Sequence, residues 1–275
     1  MYPWRRILIP TDFSTAAEWA FDDAIQLAAT TNAELLILHI RITQTSKPDA
    51  LRFPLDDSAY EYAEEQELKA LRERVRRANS NVQTRLIVKK APDPGAEICR
   101  TSQREGADLL VVSTHARHHV AHLLIGSTTM RVISDPPAPA LAIRYGIPKR
   151  GRWKRLIVPV HLKQTSEAAA ELAGKIARDQ KCEVHLLILC EDPDRDAAEA
   201  HTVDVGHRWF DGVELKRAVI GAKDVEKEII RYAAESEADA VFVNARREIG
   251  TVKRDVIRRI GVPVMIVPPA PPSGG

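Results

Sequence analysis

Three groups of side chains carry types and spacings that could do chemistry. The first is Thr11-Asp12, a hydroxyl and a carboxylate placed directly after a short apolar run that stops at Pro10. The second is Gly126-Ser127-Thr128, a glycine and two hydroxyl residues at the start of a helical stretch running to Ser134. Free N–H groups and the helix dipole at such a start favour phosphate oxygens, although a plain N-cap explains the same string. The third is His115, His118, His119 and His122, whose spacing would bring three imidazoles together on a helix, a donor set that suits zinc. No Walker loop, nucleophile elbow or paired acid and base accompanies them, so no residue is singled out as catalytic. Cys99, Cys182 and Cys190 are too scattered for a disulfide framework or a CxxC site and read as small buried hydrophobes in a reducing compartment.

These groups must be held by regular elements, and the elements occur twice. Arg6-Ile7-Leu8-Ile9-Pro10-Thr11-Asp12 returns as Arg155-Leu156-Ile157-Val158-Pro159-Val160-His161, each an apolar run stopped by proline, as in a strand buried on both faces. A helical pattern follows each, Phe21, Ala24, Ile25 and Ala28 in one half and Ala169, Leu172, Ala173 and Ile176 in the other. Thr15 and Glu18 have capping-box spacing at the first helix start. Further strands are expected over 35–40 and 184–189, 82–88 and 213–220, 107–112 and 238–243, and 139–143 and 263–267. Five apolar strands alternating with helices make a parallel sheet, because parallel neighbours need a crossover. The expected fold is therefore α/β, two tandem doubly wound five-stranded parallel-sheet domains over 1–147 and 153–269. Their lengths allow each a core of its own. The glycine, proline and charge of 146–152 mark a solvated linker beside Trp153, and the tail from Pro268 is proline- and glycine-rich and expected to be disordered.

In open parallel sheets, ligands bind beyond the carboxyl ends of the strands where the strand order reverses. In the first half those ends supply Pro10, Thr11, Asp12, Ile40, Val112 and the loop that follows. Here the sequence resembles the universal stress protein family. The resemblance rests on 7–14, Leu38-His39-Ile40, Thr114-His115 and 122–127, and it covers nearly the whole chain in two copies. ATP-binding members have glycine, two residues, glycine, nine residues, then glycine and Ser or Thr. This chain has Ser113, Ala116 and Gly126-Ser127 at that spacing, so the first two glycines are replaced. A Cβ there excludes the φ > 0 region open to glycine and takes up room beside a phosphate.

The resemblance implies ATP or another adenine nucleotide in the first half, with Thr11 and Asp12 at the adenine and ribose end. Ile40 and Val112 would line the base, and Gly126, Ser127 and Thr128 would hold phosphates, with Pro10, Ser113 and Ala116 in the same site. Asp12 can equally be read as an acidic residue favouring a helix N-terminus. Thr114-His115 and His122 belong to the family pattern, which leaves His118 and His119 for a metal; none is expected. The second copy offers Val160 and His161 in place of Thr11 and Asp12, and Gly250-Thr251 follows a loop seven residues shorter. It is expected to hold no nucleotide in the family's manner and to serve as a fixed partner. Members pair through the last strand, so 141–143 should meet 265–267 within the chain, and a further dimer of chains stays open.

The implied role is a stress-response protein that binds an adenine nucleotide and acts as a regulatory or interaction module for a protein partner, occupancy ordering the 113–127 loop. The alternatives are a ligand-free scaffold or a slow ATP hydrolase. The Ser-Gly-Gly and His-Ile-Gly-His motifs of related nucleotide-binding enzymes do not occur. A net charge of +2 with 28% charged residues gives no concentrated basic face, which argues against nucleic acid. No apolar run approaches the ~20 residues of a membrane span, and the first stops too early for a signal peptide, so a cytoplasmic location is expected.

Overall fold

A computed structural model describes residues 4–43, 57–114, 125–148, 152–161, 168–190, 195–221, 224–245 and 256–269. The first half runs β1 (Arg6–Thr11), α1 (Thr15–Thr31), β2 (Glu34–Ile42), α2 (Asp57–Ala78), β3 (Thr84–Ala91), α3 (Pro94–Glu105), β4 (Leu109–Ser113), α4 (Ser127–Ser134) and β5 (Ala140–Ile143). The second repeats it as β6 (Arg155–His161), α5 (Ala168–Gln180), β7 (Glu183–Cys190), α6 (Arg195–Trp209), β8 (Leu215–Gly221), α7 (Val225–Glu235), β9 (Ala240–Asn244) and β10 (Val264–Val267). The strands form one ten-stranded sheet in the order β3-β2-β1-β4-β5-β10-β9-β6-β7-β8. Each half is thus a doubly wound five-stranded parallel sheet, as the apolar runs imply.

The halves join where β5 and β10 pair antiparallel, with Leu141 opposite Met265 and Ala142 opposite Val264. This is the seam expected from the last strands. Arg144 adds a bond across it, its Nε donating to the Ile260 carbonyl at 3.1 Å.

Successive strand residues point to opposite faces, and the core follows that alternation. Ile7, Ile9, Leu35, Ile37, Leu141, Leu156, Val158 and Met265 belong to one apolar cluster. Leu8, Leu36, Leu38, Ala142, Ile157 and Val264 belong to the other. The two clusters are therefore divided by the sheet, and each runs across the seam through both halves. Burying such a side chain is worth about 1.5–3 kcal/mol, so the seam is stabilised from both faces. A repeated anchor sets the strand starts: the Asp108 carboxylate accepts from the N–H groups of Arg5 and Arg6 at 2.8 and 3.1 Å. Asp239 does the same for Lys154 and Arg155 at 2.7 and 2.9 Å.

Three local expectations change. The cap of α1 is Ser14, whose Oγ accepts from Ala17 N at 3.2 Å, one residue before the Thr15 of the supposed capping box. The reason is Phe13: its left-handed backbone (φ 59°) ends the strand turn and leaves Ser14 extended, the conformation an N-cap requires. The expected linker is not solvated throughout: Ile147 is buried in the core cluster that holds Trp153, the residue just past the linker, packed edge-on against Phe242 at 5.9 Å. Strand β3 starts two residues later and ends three later than its apolar run, and β8 starts two later and ends one later; both are sheet edges, where half-exposed Lys89 and exposed Arg217 can sit. Residues 149–151 of the linker and the tail after 269 lie outside the described residues. Among the described residues no helix is long and apolar enough to cross a membrane.

Candidate functional site

Strand order reverses between β1 and β4: from β1 the chain builds outward to β2 and β3, then returns to lay β4 and β5 on the other side. Beyond the carboxyl ends at this reversal lies a cleft of about 320 Å³, at the lower end of the range of small-molecule pockets. Pro10, Thr11, Asp12, Ile40, Val112, Ser113, Gly126, Ser127 and Thr128 all line it. Ala116 and the four clustered histidines fall in 115–124, outside the described residues. Among the described residues no group of three or more His, Cys, Asp or Glu side chains could hold a metal.

The β1 end is held in place by a short run of local bonds. Thr11 Oγ1 accepts from Phe13 N at 3.0 Å, Asp12 Oδ1 from Ser14 N at 3.0 Å, and Ser14 Oγ caps α1. Left-handed backbone at a bulky residue costs about 1–3 kcal/mol. The offset is visible: the Phe13 ring is buried and stacked on His39, centroids 4.5 Å apart. His39, also buried, places Nδ1 2.9 Å from the Thr11 carbonyl. A carbonyl only accepts, so the neutral imidazole carries its proton on Nδ1 and leaves Nε2 to accept from Tyr60 Oη at 3.3 Å. Through His39, helix α2 thus steadies the backbone that presents Asp12. Both readings of Asp12 meet here, since one oxygen serves the chain entering α1 while the residue lines the cleft.

Opposite stands α4. Its N-cap is Gly126 (φ −61°, ψ 149°), and among the described residues no side chain caps it, whereas Ser14, Asp93 and Asp224 cap α1, α3 and α7. The first N–H groups of α4 and its positive dipole end therefore face the cleft with no side-chain cap among the described residues. Thr129 pins this turn to the strand, its Oγ1 donating to the Ser113 carbonyl at 2.7 Å. Ser113 pairs with Ile143 as a regular strand residue, so its Cβ meets no torsional objection.

The third wall is α3, whose Pro94 and Ile98 line the cleft with Leu38 and Ile42 of β2, Ala17 of α1 and Val132 of α4. None of these is among the site residues expected from the sequence, though Asp93-Pro94-Gly95, a cap with proline at N1, signals a helix start there. Burial pushes the Cys99 thiol of α3 above its ordinary value, away from the thiolate form. Cys182 is pushed up further by burial, to about 11, and donates to the Trp153 carbonyl at 3.1 Å. A larger hollow of about 480 Å³ lies over the seam. Its polar groups already serve the fold: Asp239 holds two strand N–H groups and Arg152 bonds the Gln180 carbonyl.

The second half meets its own reversal differently. Val160, buried, stands where the first half has Thr11. Asn244 stands where it has Ser113, and Asn244 Oδ1 accepts from Ala169 N in the first turn of α5 at 2.9 Å. The 246–255 segment, with Gly250-Thr251, lies outside the described residues, as does the His161 side chain.

Comparison with known proteins gives this arrangement its place. A universal stress protein of Staphylococcus haemolyticus is 31% identical over 147 residues, 52% of this chain and 87% of that one. The crystal structure of a universal stress protein from Archaeoglobus fulgidus superposes with a TM-score of 0.76 at 18% identity, covering 98% of both chains. A universal stress protein crystallised in complex with cAMP is 21% identical, covering 52% of this chain and 98% of its own with a TM-score of 0.38. The profile of the universal stress protein family matches residues 3–144 and again 152–268, and the chain belongs to that family as two tandem copies.

Proposed function

We propose that the first half binds ATP or another adenine nucleotide in the cleft between β1 and β4, and that the second half binds none. The observation that carries this reading is the N-terminus of α4, uncapped by any side chain among the described residues, sharing one cleft with Asp12 and an apolar wall. A triphosphate supplies an anion to that helix start, its oxygens taking the N–H groups of Ser127 and Thr128. Ile40, Ile98 and Val112 take the flat base, and the Asp12 carboxylate accepts from ribose hydroxyls. Pro10, Thr11, Ser113 and Ala116 complete the site. We read the chemistry as binding: among the described residues that line the cleft Asp12 is the one ionisable side chain, and its Oδ1 accepts from Ser14 N; occupancy changes the surface shown to a protein partner. The protein then acts as a nucleotide-dependent regulatory module of the stress response in the cytoplasm.

The test is mass spectrometry of the denatured purified protein for adenine nucleotide, with calorimetric titration of ATP, AMP and cAMP. ATP is expected to bind, and Asp12→Ala to weaken it at least tenfold, since a hydrogen bond to a charged group is worth about 1.5–3 kcal/mol. A chain that carries no nucleotide and takes up none at millimolar concentration is a ligand-free scaffold instead.

A further inference from the structure

We infer that Gly95 is a positioning residue for the anion end of the cleft: its missing side chain lets α3 sit directly on the first turn of α4 and so sets where the α4 N–H groups point. A Cβ at residue 95 would lie 2.6 Å from Arg131 Cβ, 2.7 Å from Arg131 Cγ and 3.1 Å from the Thr128 carbonyl oxygen. Ordinary carbon–carbon contact is about 3.5–4.0 Å, so the overlap is close to an ångström. The atoms it meets are backbone or next to backbone and cannot swing aside as the far end of a long side chain would.

Of the two helices, α4 gives way. Helix α3 has twelve residues, is capped by Asp93 at one end and Gly106 at the other, and buries Ile98, Thr101 and Ser102. Helix α4 has eight residues, an uncapped start, and buries Val132 and Ile133. A side chain at 95 therefore pushes the Ser127–Thr128 turn off its place while Pro94 and Ile98 keep theirs. The apolar wall survives and the phosphate end moves, so the effect is one of selectivity between phosphorylated and bare nucleoside.

This inference rests on the nucleotide reading, and one titration separates the two. ATP and adenosine are titrated calorimetrically into the full chain, into Gly95→Ala and into Gly95→Ala/Arg131→Gly, which removes both carbon contacts. In the native chain ATP is expected to bind at least tenfold tighter than adenosine. Gly95→Ala should bring that ratio below threefold while adenosine affinity stays within twofold, and the double variant should recover most of the ratio. A general loss of stability would weaken both ligands together and move no ratio. Gly95→Ala with the native ratio overturns the inference, as does a folded double variant that stays unselective. Should the single variant fail to fold, the double variant decides alone. A native chain that binds neither ligand overturns the nucleotide reading, and this inference with it.

Discussion

In the first half α1 is capped by its own Ser14 and the fourth strand ends in Ser113; in the second the corresponding strand ends in Asn244, whose Oδ1 accepts from Ala169 N in the first turn of α5, the counterpart of α1. Both halves carry the same strand order and the same Asp anchor at the strand starts. A slightly longer side chain at the fourth strand end thus gives α5 from across the sheet the kind of bond that α1 receives locally from Ser14. A second contrast lies deeper in the strands: His185 occupies the place of Leu36, buried between Tyr232 Oη at 3.0 Å and Glu183 Oε1 at 3.2 Å. Arg155 and Lys216 close on the same carboxylate.

The largest expected effect comes from moving the second half's side chain into the first. Ser113→Asn should overfill the cleft at a cost of about 2 kcal/mol, roughly 30-fold in Kd for ATP, with unchanged circular dichroism. Native affinity in this variant would break the comparison.

Next comes pH. Burial holds the His185 imidazole below its ordinary value, with Glu183 pulling the other way. Burial also opposes ionisation of Glu183, yet hydrogen bonds from Lys216, Arg155 and His185 bring its carboxyl down to about 2. The unfolded chain takes up protons at these two residues near pH 6.5 and 4.5, and the folded chain resists both. Stability is therefore full above pH 6.5 and falls as pH drops, first through His185 and then through Glu183. Each proton contributes at most about 1.4 kcal/mol per pH unit. His185→Leu, the residue type of the first half, should flatten the fall in melting temperature between pH 6.5 and 5. If native protein and variant fall in parallel, the cluster is not the acid-sensitive element.

The smallest effect is at Asn244. Asn244→Ser should cost about 1 kcal/mol in denaturant unfolding through the lost cap on α5. It should not confer nucleotide binding on the second half, where Val160 lacks the hydroxyl of Thr11. Binding of a second equivalent of ATP would show that Asn244 alone keeps that half closed.

Much of this architecture was legible because strands buried on both faces must be apolar throughout, and Ile7-Leu8-Ile9 and Leu156-Ile157-Val158 say so twice. The cleft was legible at its strand ends, where Pro10 stops the run and leaves Thr11 and Asp12 at the reversal. Its third wall was not: Pro94 and Ile98 reach it only because α3 packs on α4, a contact between segments that no local pattern encodes. Phe13 hid for a related reason, since a left-handed phenylalanine is unfavourable alone and tolerable only when His39 stacks on its ring. Ile147 misled through its company, because the glycine, proline and charge around it mark a surface segment while its own side chain is buried in the core.

The antiparallel contact between β5 and β10 joins two segments of one covalent chain. Its equilibrium is therefore intramolecular and independent of how much protein is present. Dilution that would separate two free subunits leaves these halves together, so each first half keeps one second half beside it at nanomolar as at millimolar levels.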